Sequence, residues 1–142
     1  MPTLTSRPRH ASEHGFSLIE LVVVILILGI LTAIATPIYL NQKKTAVDSS
    51  VQSDVRTTVD NVSLWTLNHT GAIAGTTDFI AAGGKVVQSK NNTVSVTVSS
   101  TGTFTVCGYS AKGSKYNAVN AAFLFNSPTK QFVRTTVNCP GN

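Results

Sequence analysis

Between Phe16 and Leu40 the chain holds sixteen Leu, Ile, Val and Phe side chains and a single charge, Glu20. Those 25 residues, wound as a helix rising ~1.5 Å per residue, reach about 37 Å, enough to cross the ~30 Å hydrocarbon core of a bilayer. Such a segment belongs in lipid or inside an assembly. Sixteen large apolar side chains at roughly 0.45 kcal/mol each favour insertion by up to ~7 kcal/mol, against about 3 kcal/mol for one central carboxylate. The carboxylate lies near the front edge, where it costs less. Charge does not decide orientation, because Arg7 and Arg9 ahead of the run are matched by Lys43 and Lys44 behind it.

The remaining sequence looks soluble. Its distal half is rich in Thr, Ser, Asn and Gly, and a length of 142 residues allows one modest domain. The net charge is +5, and from Asn61 onward six cations, Lys85, Lys90, Lys112, Lys115, Lys130 and Arg134, face one carboxylate, Asp78. Such an excess gives the distal region a weak pull on DNA or anionic surfaces, although scattered lysines more often form a solvated face. The two cysteines, Cys107 and Cys139, fall late in the chain, which in an exported protein reads as one disulfide. A secretory signal peptide competes with a retained membrane span: Ala33-Ile34-Ala35 is a small-residue cleavage pattern, and a cut there would release a soluble protein starting at Thr36. The apolar run is long for a signal peptide, and Glu20 sits awkwardly between the basic region and that run.

The residues that follow keep a helical period. Val47, Val51, Val55, Val59 and Val62 recur every three or four positions, and Trp65 extends the stripe. A single helix is therefore expected from Phe16 to about Leu67, apolar all round in its front half and amphipathic behind. Pro37 marks an expected kink, since its ring clashes with the carbonyl of Ala33 and removes one backbone bond.

The start of the run is the most specific feature. Gly15-Phe16-Ser17-Leu18-Ile19-Glu20, after a short polar leader and before a continuous apolar stretch, resembles the class III signal of type IV pilins and their pseudopilin relatives. The resemblance is close over residues 1 to about 40; beyond them only the organisation is similar, a long helix, a small sheet and a C-terminal disulfide. It implies cleavage after Gly15 by a membrane prepilin peptidase, N-methylation of Phe16, and pairing of Glu20 with the N-terminal amine of a neighbouring subunit as helices stack. A lone buried carboxylate costs on the order of 3 to 5 kcal/mol, so Glu20 would penalise uncleaved and misregistered subunits. In the family the region before the proline can also unwind in the filament.

Behind the helix, "TTDFIAAGG" is expected to form a short helical turn capped by Thr76 or Thr77 and ending at Gly83. Then the period changes to two. "TVSVTVSS" and "TFTVCGYS", turning at Thr101-Gly102, read as a hairpin with one buried face; "AVNAAFLF" and "QFVRTTV", joined through Asn126-Ser127-Pro128-Thr129, read as a second. The expected fold is α+β, a long N-terminal helix whose valine stripe packs on a four-stranded antiparallel sheet.

Chemistry beyond assembly has little support. His69 follows the helix end as a surface or capping residue. Ser127-Pro128-Thr129-Lys130 fits S-x-x-K without the companion elements of penicillin-recognising enzymes, and Gly83-Gly84-Lys85 is too short for a phosphate loop. Asp78 alone does not supply a calcium or other metal site. No enzyme, cofactor or metal is expected.

The sequence reading is thus a major structural subunit of a type IV pilus: leader 1–15, membrane or filament-core helix 16–40, amphipathic helix 41–68 and exposed head 69–142. Its expected partners are copies of itself, the prepilin peptidase, the pilus assembly machinery and, before assembly, the cytoplasmic membrane. From there it moves to the cell surface. Rival readings are a type II secretion pseudopilin, a competence pilin taking up DNA and, more distantly, the soluble binding protein released after Ala35. Adhesion, twitching motility, DNA uptake and secretion are equally open as tasks.

Overall fold

The computed structural model describes residues 15–118, 121–136 and 138–139, so the expected leader, apart from Gly15, lies outside the described residues. Two compact units divide the chain, Met1–Ile38 and Tyr39–Asn142. The first helix, α1, runs over Leu18–Asn68 and contributes to both.

In the first unit every described residue is exposed, including all the large apolar side chains from Phe16 to Ile38. A helix apolar on all sides belongs in a membrane or the core of a larger assembly. The few polar groups are turned inward along the helix: Thr32 Oγ1 donates to the Leu28 carbonyl at 2.7 Å and Thr36 Oγ1 to the Thr32 carbonyl at 2.8 Å. Hydroxyls satisfied in this way do not need water. Pro37 and the small-residue triplet Ala33-Ile34-Ala35 both lie within α1.

In the second unit α1 packs on a meander. Strands β1 (Thr93–Val98), β2 (Phe104–Tyr109), β3 (Ala122–Asn126) and β4 (Gln131–Thr135) lie in chain order and pair antiparallel throughout. The expected four-stranded α+β fold is the one observed. Val51, Val55, Val59, Val62 and Trp65 are buried together with Val94, Val96, Val98, Phe104, Val106, Phe123 and Phe125. Alternation thus puts one face of β1 to β3 against the valine stripe. Gly108, in the middle of that face, has no side chain for a reason: a Cβ there would run into Val55 and Val51. Gly108→Ala is expected to cost about 1 to 3 kcal/mol, the range for overpacking a filled core, and Val55→Ala to restore part of it. Urea midpoints followed by the fluorescence of the single tryptophan, Trp65, check both.

The second helix, α2, covers Thr76–Ala81. Neither threonine caps it. The N-cap is Gly75, without a side-chain cap bond, because the Thr76 hydroxyl is engaged elsewhere: it accepts the Val96 N–H at 3.0 Å. With Ile73, whose backbone exchanges two bonds with Val98, it covers the outer edge of β1, where unpaired strand groups would otherwise be exposed. The expected end is observed, with Gly83 at φ 85° and the Gly84 N–H returning to the Phe79 carbonyl at 2.9 Å.

The sheet also departs from the one-faced expectation. Cys107, on the opposite face of β2, is joined to Cys139 by a disulfide across a separation of 32 residues. Together with Ala122 the pair forms a second buried cluster, flanked by half-buried Tyr109 and Leu124. Cys139 therefore covers part of the face that alternation alone assigned to solvent, and the expected tie between the end of the chain and the sheet is the one observed. In the chain-entropy treatment a loop of that length adds ~3 to 4 kcal/mol of stability.

Candidate assembly and processing site

The helix start is built by four consecutive residues. Ser17 is its N-cap position, its carbonyl accepting the Leu21 N–H at 3.3 Å, while Glu20, in the first turn, reaches back so that Oε2 accepts the Ser17 N–H at 3.0 Å. This is the glutamate arm of a capping box. The carboxylate also meets the positive end of the helix dipole, worth about 0.3 to 1 kcal/mol where solvent reaches it. Serine followed three residues later by glutamate, just ahead of an apolar run, is a sequence signal for this arrangement. Reading Glu20 only as a charge to be neutralised passed over it.

Phe16 is 90% exposed, and the space around the Gly15 α-carbon is open. Both sides of the Gly15–Phe16 peptide bond are therefore reachable. Phe16, Ile19, Glu20, Val23 and Val24 line one shallow hollow along the helix, apolar except for the carboxylate. The structure thus brings Phe16 and Glu20 together. A cut after Gly15 would turn the Phe16 nitrogen into a cationic amine, one residue from the N–H that Glu20 already accepts. The remaining sequence-predicted positions lie elsewhere: Pro37 within α1, and Cys107 and Cys139 in the second unit's disulfide.

Three polar residues on the valine stripe escaped sequence reasoning. Asp48, only 3% exposed, accepts the backbone N–H groups of Ser114, Lys115 and Tyr116 at 3.0 to 3.2 Å and the Ser114 hydroxyl at 2.6 Å. Burial pushes its carboxyl up, but the bonds from the Ser114 hydroxyl and from the Tyr116, Lys115 and Ser114 backbone outweigh it and hold the group below its ordinary value. Asp54 accepts the Ser89 N–H and hydroxyl at 2.8 Å each and the Asn92 amide at 2.7 Å. The Thr58 hydroxyl accepts the Val87 N–H at 3.1 Å. These side chains fasten the flanking loops to the helix. Their spacing was the available signal, since positions 48, 54 and 58 fall on the same helical face as Val51, Val55 and Val62.

The residues weighed for chemistry are engaged in structure. His69 stacks on Trp65, centroids 4.4 Å apart, with Nδ1 3.1 Å from the Trp65 carbonyl oxygen. Ser127 Oγ accepts the Phe104 N–H at 2.8 Å, fastening the β3–β4 turn to β2.

Residues 10–36 match the family model described as the prokaryotic N-terminal methylation motif. No curated protein and no solved structure gives a match to the chain. The motif spans the hollow formed by Phe16 and Glu20 and most of the apolar run behind it. As a prepilin-type signal it implies processing by a prepilin peptidase and handling by pilus assembly machinery, and with the apolar helix it fits a chain first anchored in a membrane and then exposed at the surface. An exposed apolar helix, capped at its start by one carboxylate, thus carries an N-terminal methylation motif similar to the signal of type IV pilin-like proteins, of pili and of pseudopili.

Proposed function

We propose that the chain is the major structural subunit of a type IV pilus, cut after Gly15, N-methylated on Phe16 and polymerised through α1. One observation carries this reading. The first unit exposes an unbroken apolar helix whose single carboxylate sits in its first turn, beside Phe16. Such a helix needs apolar surroundings on every side, which a bilayer supplies before assembly and neighbouring copies supply afterwards. Cleavage supplies the positive partner for Glu20 within those surroundings, and methylation leaves the amine charged. The head, fastened by the disulfide and by Asp48, Asp54 and Thr58, serves as the outer, non-catalytic layer.

The test is to shear the surface of producing cells, pellet the released material, and determine the intact mass and N-terminal residue of this chain. The expected result is a chain that begins at Phe16 and carries one added methyl group on its amine. The same processed chain confined to the cell envelope would point to a secretion pseudopilus. A soluble chain starting at Thr36, or an unprocessed Met1 chain held in the membrane, would overturn the reading.

A further inference from the structure

Immediately beyond the apolar run, an open groove on the second unit is lined by Leu40, Val47, Lys43, Lys44, Lys112 and Gly113. Its chemistry is divided. Leu40 and Val47 form an apolar floor, while three ammonium groups, two from α1 and one from the β2–β3 connection, supply charge of one sign. No carboxylate lines it. The nearest acid in sequence, Asp48, cannot serve as counter-ion because it is buried and accepts the hydrogen bonds of Ser114 to Tyr116. That same clamp fixes the segment following Lys112. Three lysines therefore line one groove while the nearby acid is turned away, a placement that favours an anion.

We propose that this groove binds an anionic phospholipid of the bilayer in which the chain resides before assembly, its phosphate among Lys43, Lys44 and Lys112 and the start of its acyl chains against Leu40 and Val47. Depth supports this occupant. Leu40 ends the apolar run, and Lys43 and Lys44 follow it by three and four residues, ~4.5 and ~6 Å along a helix. With Leu40 at the hydrocarbon edge, a headgroup layer roughly 5 to 8 Å thick takes in the positions of Lys43 and Lys44. A ligand with both an acyl edge and a phosphate fits the groove's two chemistries, whereas a nucleic acid would leave the apolar floor unused. The proposal rests on residues 16–40 spanning the bilayer, as the proposed function requires.

The full chain is inserted into nanodiscs of mixed phosphatidylcholine and phosphatidylglycerol, extracted gently, and its retained lipids are counted by native mass spectrometry. Each lysine near a membrane surface contributes roughly a five-fold preference for anionic lipid. The wild type is expected to retain the two lipids at a phosphatidylglycerol-to-phosphatidylcholine ratio at least about ten-fold above that of the bilayer, and Lys43→Gln/Lys44→Gln/Lys112→Gln to fall to the bilayer's ratio. A control, Lys85→Gln/Lys90→Gln/Lys130→Gln, removes equal charge elsewhere and should keep the preference. Equal retention of both lipids by the wild type overturns the proposal without reference to any variant. So does an equal loss in the control, which would assign the effect to net charge. Duplex DNA captured through the three lysines without lipid selectivity gives the groove to a nucleic acid and overturns it as well. Failure to enter nanodiscs removes the membrane span and the lipid site together; entry without selectivity removes the lipid site alone.

Discussion

Glu20→Gln is expected to leave the helix start intact and to suppress filament recovery roughly a hundred- to a few thousand-fold. Glutamine at the same position keeps an oxygen that can accept the Ser17 N–H, now held by Oε2 at 3.0 Å, and capping boxes accept either residue. The substitution therefore isolates charge from capping. In the proposed filament it leaves the Phe16 amine of a neighbouring copy buried without its counter-ion, and removing one partner of a buried pair costs about 3 to 5 kcal/mol. At each added subunit, that raises the concentration needed for growth by roughly two to three and a half powers of ten. Quantifying sheared, sedimentable protein against the membrane-held pool checks it. A normal filament yield from Glu20→Gln would show that the carboxylate acts only as a helix cap. Glu20→Ala, which loses both roles, should assemble no better and also fray the first turn.

The second large effect is expected at Asp48. Asn in its place presents an amide nitrogen to a ring of donors, the N–H groups of Ser114, Lys115 and Tyr116, so both satisfaction and charge are lost. Bonds to a charged acceptor contribute about 1.5 to 3 kcal/mol each and are not fully additive; Asp48→Asn should cost ~3 to 5 kcal/mol in total. The pH dependence carries its own signature. Because the folded-state pKa is lowered, the charged carboxylate stabilises the head fully above the unfolded value of about 3.9. That contribution is lost as pH falls from there through the lower folded value, since the unfolded chain takes up the proton first. The gap in urea midpoint between wild type and Asp48→Asn, read from Trp65 fluorescence, should be constant near neutrality and narrow below about pH 4. A gap that stays constant into that acid range would mean that hydrogen-bond geometry alone, without ionisation, sets the effect.

Much of this fold was legible because it is written in short-range patterns. Sixteen large apolar residues with one charge leave a helix few places to reside, and the spacing from Val47 to Trp65 identified the face that packs. Alternation at Val94, Val96 and Val98 and at Phe104 and Val106 located the strands, and turn residues located the hairpins. These signals are local in sequence, so no partner had to be known to read them. Thr76 was misjudged for the opposite reason. Its preference for a cap was read correctly, but 20 residues away the outer edge of β1 offered the Val96 N–H, and a hydroxyl cannot serve both.

The same division holds for the sites. Local sequence alone determined the processing motif, the apolar helix and the carboxylate at its start, because a peptidase signal and a capping box each depend on residues within a few positions of one another. Only the tertiary structure decided what the acids of the rear helix do. Asp48 and Asp54 look like ordinary solvated charges until loops 66 and 35 residues further on bring backbone N–H groups to them. Burial of a charge is settled by donors arriving from elsewhere in the chain, and nothing in its own neighbourhood of sequence announces them. The Cys107–Cys139 pairing was legible in the sequence, whereas the second buried cluster that the pair forms with Ala122, on the face that the alternation of β2 assigned to water, was decided by the tertiary structure.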